Sequence, residues 1–157
     1  MDRHGMSVTV LAMIMVVGGC QGGMKMDSST EPVPIVAMHH GDDSGLSDQV
    51  VLLINSQAQL ERTGSEELLN KGVDFDQASL VVLALGERPT GGHWARITGL
   101  QAGGGTLYVQ GIANRPDRSG AVTQVMSYPY CAVEVAKLAD LSVNPEIKSV
   151  EGQSLPE

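Results

Sequence analysis

Short apolar runs separated by turn-forming residues recur along most of the chain. Leu80–Leu85 is wholly apolar and rich in branched side chains, which predicts a central β-strand. Val50–Ile54 is a shorter run of the same kind and predicts a strand buried on both faces. Trp94–Leu100 instead alternates, with Ala95 and Ile97 on one face, which predicts a strand with one buried face.

Glycine and proline mark where further strands begin and end. Gly103-Gly104-Gly105 predicts a tight connection into the next strand. Val122–Tyr128 and Cys131–Lys137 are also predicted as strands, separated at Pro129, which cannot donate to a β-ladder. The strand after the triple glycine is expected to bury Leu107, Val109 and Ala113.

Two short helices are predicted ahead of the central strand. Asn55-Ser56 supplies an N-cap for Gln57–Glu61, and Ser65 caps a turn over Ser65–Leu69. Strands spaced by roughly a dozen residues predict a mainly β or α+β domain. We expect a single antiparallel sheet or a sandwich, with one or two short helices near its start.

Composition narrows the possible functions. The 157 residues carry a formal net charge of −8, which lacks the basic stripe that nucleic-acid binding requires. The common nucleotide-binding, zinc-protease and serine-hydrolase motifs are absent from the sequence. We therefore predict that the chain is not an enzyme and uses no metal or other cofactor, and we expect no nucleic-acid partner.

The N-terminus has the pattern of an export signal. The apolar stretch Met6–Val17 has twelve residues, and at about 1.5 Å each they reach only ~18 Å, too short for a bilayer core of ~30 Å. Val17-Gly18-Gly19-Cys20 resembles a bacterial lipobox. The resemblance implies cleavage before Cys20 and acylation of its thiol and new amine. Gln21 in place of Asp then implies the outer membrane or the periplasmic face of the cell envelope.

These signals divide the chain into four segments. Residues 1–19 are predicted as a lipoprotein signal peptide, 20–46 as a flexible tether with a short strand at Ile35–Met38, 47–138 as the folded domain and 139–157 as a polar tail. His39-His40-Gly41-Asp42-Asp43 is interpreted as solvated linker and not as a metal site, because adjacent side chains of an extended segment diverge.

Cys131 is the second of only two cysteines. It falls in step with Val133 and Val135, which predicts a buried thiol. A nucleophilic cysteine needs a nearby base, and the local sequence supplies none.

Two further segments carry a family resemblance. They are Leu85-Gly86-Glu87-Arg88-Pro89-Thr90-Gly91-Gly92-His93-Trp94 and Val122-Thr123-Gln124-Val125-Met126-Ser127-Tyr128-Pro129-Tyr130. With the upstream Val73-Asp74-Phe75, they resemble the C-terminal domain of the protease complex subunit PrcB family over residues 47–138. The chain departs from that pattern at His93, where the family carries Tyr after the double glycine.

The resemblance implies an exported accessory or scaffold subunit of a surface protease complex. Its partner would be an envelope protease or another exported protein. Candidate partner-binding residues are Arg88, Pro89, Thr90, Gly91, Gly92, His93, Trp94, Tyr128 and Tyr130. A structural interpretation stands beside this one: the glycine pair closes a hairpin, Trp94 fills the core, and Tyr128-Pro129-Tyr130 forms a packed break between strands.

Two other functions stay open at this stage. The Pro-Thr-Gly-Gly loop is distantly similar to the loop that chagasin-type inhibitors insert into cysteine proteases, which indicates a protease inhibitor as one alternative. A purely structural envelope lipoprotein is the other. A hydrolase has no nucleophile–base pair to support it.

Overall fold

The structure, a computed structural model, describes residues 29–156. The predicted signal peptide and the predicted lipidation site at Cys20 lie outside the described residues. Within that range the elements are β1 (Glu31–Pro32), β2 (Ile35–Gly41), β3 (Gln49–Ile54), α1 (Gln57–Thr63), α2 (Glu66–Leu69), β4 (Ala78–Leu85), β5 (Trp94–Gly103), β6 (Thr106–Arg115), β7 (Tyr130–Ala136) and β8 (Ser142–Glu151). No helix among these residues is long and apolar enough to span a bilayer.

The strands form two four-stranded sheets. The first sheet has the order β1-β5-β6-β8 and the second the order β2-β7-β4-β3. All neighbouring strands are antiparallel except β6 and β8, which run parallel. The predicted mainly β fold with two short helices is therefore confirmed, with one parallel pair that the sequence pattern did not indicate.

The main core lies between the two sheets. Strand alternation places every second side chain of the central strands on this inner side. The fully or nearly fully buried members are Val81, Leu83, Leu85, Ala95, Ile97, Leu100, Leu107, Val109, Ala113, Cys131, Val133 and Val135. The predicted inner-face positions of β5 and β6 are all in this set.

A second apolar layer lies on the other face of the second sheet. Leu60 of α1 and Leu68 of α2 pack there against Leu80, Val82 and Ala132. Both faces of β4 are thus covered, which explains why its sequence is continuously apolar.

Local signals for the helices and the β5–β6 hairpin are confirmed. The side chains of Ser56 and Ser65 accept hydrogen bonds from Gln59 N and Leu68 N, as N-caps do. Gly104 and Gly105 have φ of 58° and 77°, which fits a two-residue hairpin turn.

The predicted tether is wrong over residues 31–41. Pro32 pairs with β5, and β2 pairs with β7 from Ile35 to Gly41, so the predicted short strand at Ile35–Met38 is present and longer than expected. The histidines are part of this sheet: His39 Nε2 lies 3.0 Å from Glu134 Oε1, and His40 Nδ1 lies 3.2 Å from Ala95 O. The sequences of β1 and β2 resemble a linker because strands at the edge of a sheet retain proline and polar residues.

Three further expectations need correction. The predicted polar tail contains β8, which pairs along its whole length with β6. Val50–Ile54 lies at an edge and is mostly half-buried, not buried on both faces. Val122–Tyr128 forms no strand; only Ser127 and Tyr128 make isolated bridges, to Arg88 and Asp43.

Candidate functional site

The two motif segments meet at one end of the second sheet. Arg88 and Ser127 exchange both backbone hydrogen bonds, with N···O distances of 2.8 and 2.9 Å. Gly91 N donates to Thr123 O at 2.9 Å, and Ser127 Oγ donates to Thr90 O at 3.1 Å. We call loop 86–93 and segment 122–128 together the paired loops.

Gly86 sets the direction in which loop 86–93 leaves β4. Its φ is +79°, and a Cβ at this position would lie 2.8 Å from Ser47 O and from Asp48 C. The following amide, Glu87 N, donates to Ser47 O at 3.0 Å. Only glycine combines this backbone angle with so close an approach, so the loop is anchored against the segment that leads into β3.

The double glycine serves contacts within the chain. A Cβ on Gly91 would overlap Thr123 Oγ1. Gly92 has φ of +83°, and its Cβ would lie 3.2 Å from Pro116 Cβ. Both glycines are therefore explained by contacts within the chain, but the interpretation that they close a hairpin is wrong, because β4 and β5 lie in different sheets and do not pair.

The side chain of Arg88 makes its hydrogen bonds within the protein. Its Nη2 donates to Leu85 O at 2.7 Å and lies 3.4 Å from Gln49 Oε1, and its Nε is buried without a hydrogen-bond partner. Its guanidinium thus ties the loop to the ends of β4 and β3.

His93 lies beside Thr90, with Nε2 3.4 Å from Thr90 Oγ1. Partial burial lowers the pKa of His93, and the positive charges of Arg88 and Arg115 lower it further. The groups beside His93 are the Thr90 hydroxyl, the backbone of Asn114 and two arginines, so no carboxylate orients the imidazole as a general base.

Two of the aromatic residues predicted to bind a partner, Tyr130 and Trp94, donate hydrogen bonds within the chain. Tyr130 is 1% exposed, and its hydroxyl donates to Glu67 Oε1 at 3.0 Å. Its assignment as a partner-binding residue is wrong, because Tyr130 starts β7 and packs beneath the helices. Trp94 is half-buried, and its Nε1 donates to Gln153 O at 2.9 Å, which fastens the C-terminal segment to β5.

The outer surface of the paired loops is apolar at two positions that the sequence analysis did not single out. Val125 is 62% exposed and Met126 is 50% exposed. They border an open depression of about 340 Å³ that also includes Tyr128, whose hydroxyl donates to Glu87 Oε2 at 3.0 Å. The sequence placed both residues on a predicted strand, where one of each neighbouring pair is expected to be buried.

A known protein family resembles part of the chain. Residues 79–136 match the family model described as PrcB C-terminal. This segment is similar to the PrcB C-terminal family. The match associates the chain with subunits of protease complexes. No curated protein and no solved structure matches the chain.

The family-matched segment runs from β4 through β7 and contains the paired loops. It confirms the resemblance over 79–136, while residues 47–78 and 137–138, which the sequence analysis also included, lie outside the match. β3 and both helices nevertheless pack on this segment, since they cover one face of β4.

Cys131, the cysteine of the family-matched segment, is a buried core residue, as predicted. Cys131 is 0% exposed, and its Sγ accepts a hydrogen bond from Ile97 N at 3.3 Å. Burial raises the pKa of Cys131 to about 11, so the reactive thiolate is suppressed near neutral pH. No cluster of metal-binding side chains occurs within residues 29–156.

Proposed function

We propose that the chain is a lipid-anchored, non-enzymatic subunit of an envelope protease complex and that the paired loops bind another protein of that complex. The observation that carries the proposal is the exposed pair Val125 and Met126, held beside a loop of the family-matched segment. Contiguous exposed apolar side chains in a soluble domain are typical of protein-binding surfaces.

The rigidity of the surface supports a binding role. Backbone hydrogen bonds from Arg88, Ser127 and Gly91 hold the two segments together before any partner arrives. A surface that is already ordered loses little conformational entropy on binding. Methionine adapts its shape to an irregular partner surface, which suits Met126 to such a contact.

The side-chain chemistry near the loops supports binding more than catalysis. His93 is kept neutral without an orienting carboxylate, and the thiol of Cys131 is buried and protonated. Neither group forms a nucleophile–base pair. The lipobox-like sequence ending at Cys20 supports attachment to the envelope, where an exported protease would meet the domain.

The test is capture of a peptidase from envelope extract with the full-length chain as bait. The surface variant carries Val125→Ser and Met126→Ser. The matched control is Val36→Ser, which removes an apolar side chain that is 72% exposed on β2, outside the paired loops. We expect the wild type and the control to retain the same peptidase, and the surface variant to lose it, with all three proteins equally stable.

Equal retention of the peptidase by all three baits would refute a role for the paired loops. If a peptidase is retained specifically, its activity against a peptide substrate separates two functions. Unchanged or raised activity fits an accessory subunit, whereas dose-dependent loss of activity fits the inhibitor that the Pro-Thr-Gly-Gly motif allows.

A further inference from the structure

One backbone edge of the second sheet is open at β3. Leu85 N donates to Pro129 O, so the odd-numbered residues of β4 direct their backbone groups toward β7 and the even-numbered ones toward β3. Since Val50 lies opposite Ala84, the even-numbered residues of β3 complete that ladder. The amides and carbonyls of Gln49, Val51 and Leu53 therefore point away from the sheet. Within residues 29–156 their backbone groups have no hydrogen-bond partner.

The other sheet edges carry features that discourage further strand pairing. β1 is two residues long and includes Pro32. β2 has an irregular register between Ile35 and Ala37, and β8 contains Pro145 together with charged side chains. Such features protect sheet edges from addition of another strand.

β3 has none of these sequence features, although β8 of the first sheet lies close to it without pairing. Its sequence, QVVLLI, contains no proline and no charge, and its register with β4 is unbroken over six residues. A flat apolar edge is a liability for a soluble domain unless something covers it. The contrast with the other three edges points to a binding role for this one.

An apolar groove of about 490 Å³ runs beside this edge, between β3 and α1. Val50, Leu52 and Ile54 form its floor, on the face of the sheet that carries the helices. Gln59, Arg62 and Thr63 of α1 form its wall, and Asp48 lies at the end where β3 begins. The volume is enough for a large apolar side chain or two from an added strand.

We propose that the β3 edge binds an extended segment of a partner protein, which adds a fifth strand to the second sheet. The segment has apolar residues at alternate positions, which enter the groove, and a cationic residue that pairs with the exposed Asp48. Main-chain hydrogen bonds to Gln49, Val51 and Leu53 provide the affinity, and the groove selects the side chains. A cationic partner also suits a chain with a net charge of −8, whereas a second copy of this chain would carry the same charge and be repelled.

The probe is a short synthetic peptide in which Leu and Thr alternate between terminal lysines. Its matched control has the same side chains but is N-methylated at alternate backbone nitrogens, so that it cannot form the strand ladder. We expect the full-length chain to bind the probe at least about tenfold more tightly than the N-methylated peptide, because several backbone hydrogen bonds are at stake. Equal binding of the two peptides would overturn the proposal.

A protein variant provides the second arm. In Val51→Pro the missing N–H is one that faces away from β4, so the existing ladder stays complete while the added strand loses a donor. We expect Val51→Pro to reduce probe binding about tenfold or more, and the Val125→Ser, Met126→Ser variant to bind the probe like the wild type. This pattern separates the β3 edge from the paired loops, so either proposal can fail alone. Sedimentation that shows a wild-type dimer, a Val51→Pro monomer and no probe binding would overturn the peptide in favour of a second copy.

Discussion

Replacing Gly86 by Ala should destabilise the protein more than the backbone angle alone predicts. Gly86 has φ of +79°, and its Cβ would lie within 2.9 Å of three backbone atoms of residues 47–49. These atoms belong to the segment that starts β3, so no side-chain rotation can relieve the overlap. The chain offers a matched control at Gly72, which has φ of +68° and no atom within 4 Å of the Cβ position.

Both substitutions carry the cost of a positive φ, and only Gly86→Ala adds the cost of steric overlap with backbone atoms. Forcing Ala into the left-handed region costs about 1–2 kcal/mol at either position. Gly86→Ala adds the cost of overpacking against fixed backbone, about 1–3 kcal/mol. We therefore expect Gly72→Ala to lower the free energy of unfolding by about 1–2 kcal/mol and Gly86→Ala by about 2–5 kcal/mol.

Urea denaturation followed by the fluorescence of Trp94 measures this difference directly, because Trp94 is the only tryptophan. With an m-value of about 1.5 kcal/mol per molar, an extra 2 kcal/mol lowers the midpoint by roughly 1.3 M. Equal midpoints for Gly86→Ala and Gly72→Ala would refute the close approach of loop 86–93 to the start of β3. It would also remove the basis for a rigid site.

Three further outcomes follow from buried or tethered side chains. Burial raises the pKa of Cys131 to about 11, so the folded state holds its thiol proton more tightly than the unfolded chain, whose thiol titrates near ~8.5. The stability that this protonated thiol provides should be fully present below the unfolded pKa and should be lost progressively as the pH rises toward about 11. Chemical denaturation at successive pH values should therefore show a smaller loss of stability for Cys131→Ala than for the wild type. Trp94→Phe deletes the hydrogen bond to Gln153 O, so hydrogen exchange near the C-terminus should accelerate, while unchanged exchange would show that the hydrogen bonds of residues 152 and 153 to Asn114 and Arg115 hold this segment without it. Ser65→Ala removes the N-cap of α2 and should cost about 1 kcal/mol in thermal or urea unfolding, whereas Ser65→Asp should not restore it, because Ser65 is buried and a carboxylate there would lose its hydration.

Sequence patterns predicted the elements whose signals are local. The apolar run of β4, the alternation of β5 and the serine caps each depend on a few neighbouring residues. β8 was missed because its pairing with β6 is parallel and non-local, and because Pro145 and its charges are typical of a loop as well as of an edge strand.

The sequence singled out the two motif segments but not which of their side chains are exposed. The resemblance brought the two motif segments to attention, and the structure places them side by side. In the structure Tyr130 is buried, whereas Val125 and Met126 are exposed. Neither fact is accessible from residue type, because Tyr and Val are common in both cores and interfaces.

Loop 86–93 of the paired loops contacts the start of β3, so the two proposed binding surfaces are neighbours. Glu87 N donates to Ser47 O, just before β3, and the Arg88 guanidinium reaches the side chain of Gln49 within the strand. The loop beside Val125 and Met126 therefore contacts the start of β3, which would allow one partner to engage both surfaces. Because the two contacts would share this junction, their losses should not simply add. A partner that loses binding to the same extent from Val51→Pro, from the surface variant and from both together engages the two surfaces as one, whereas additive losses would assign them to separate partner elements.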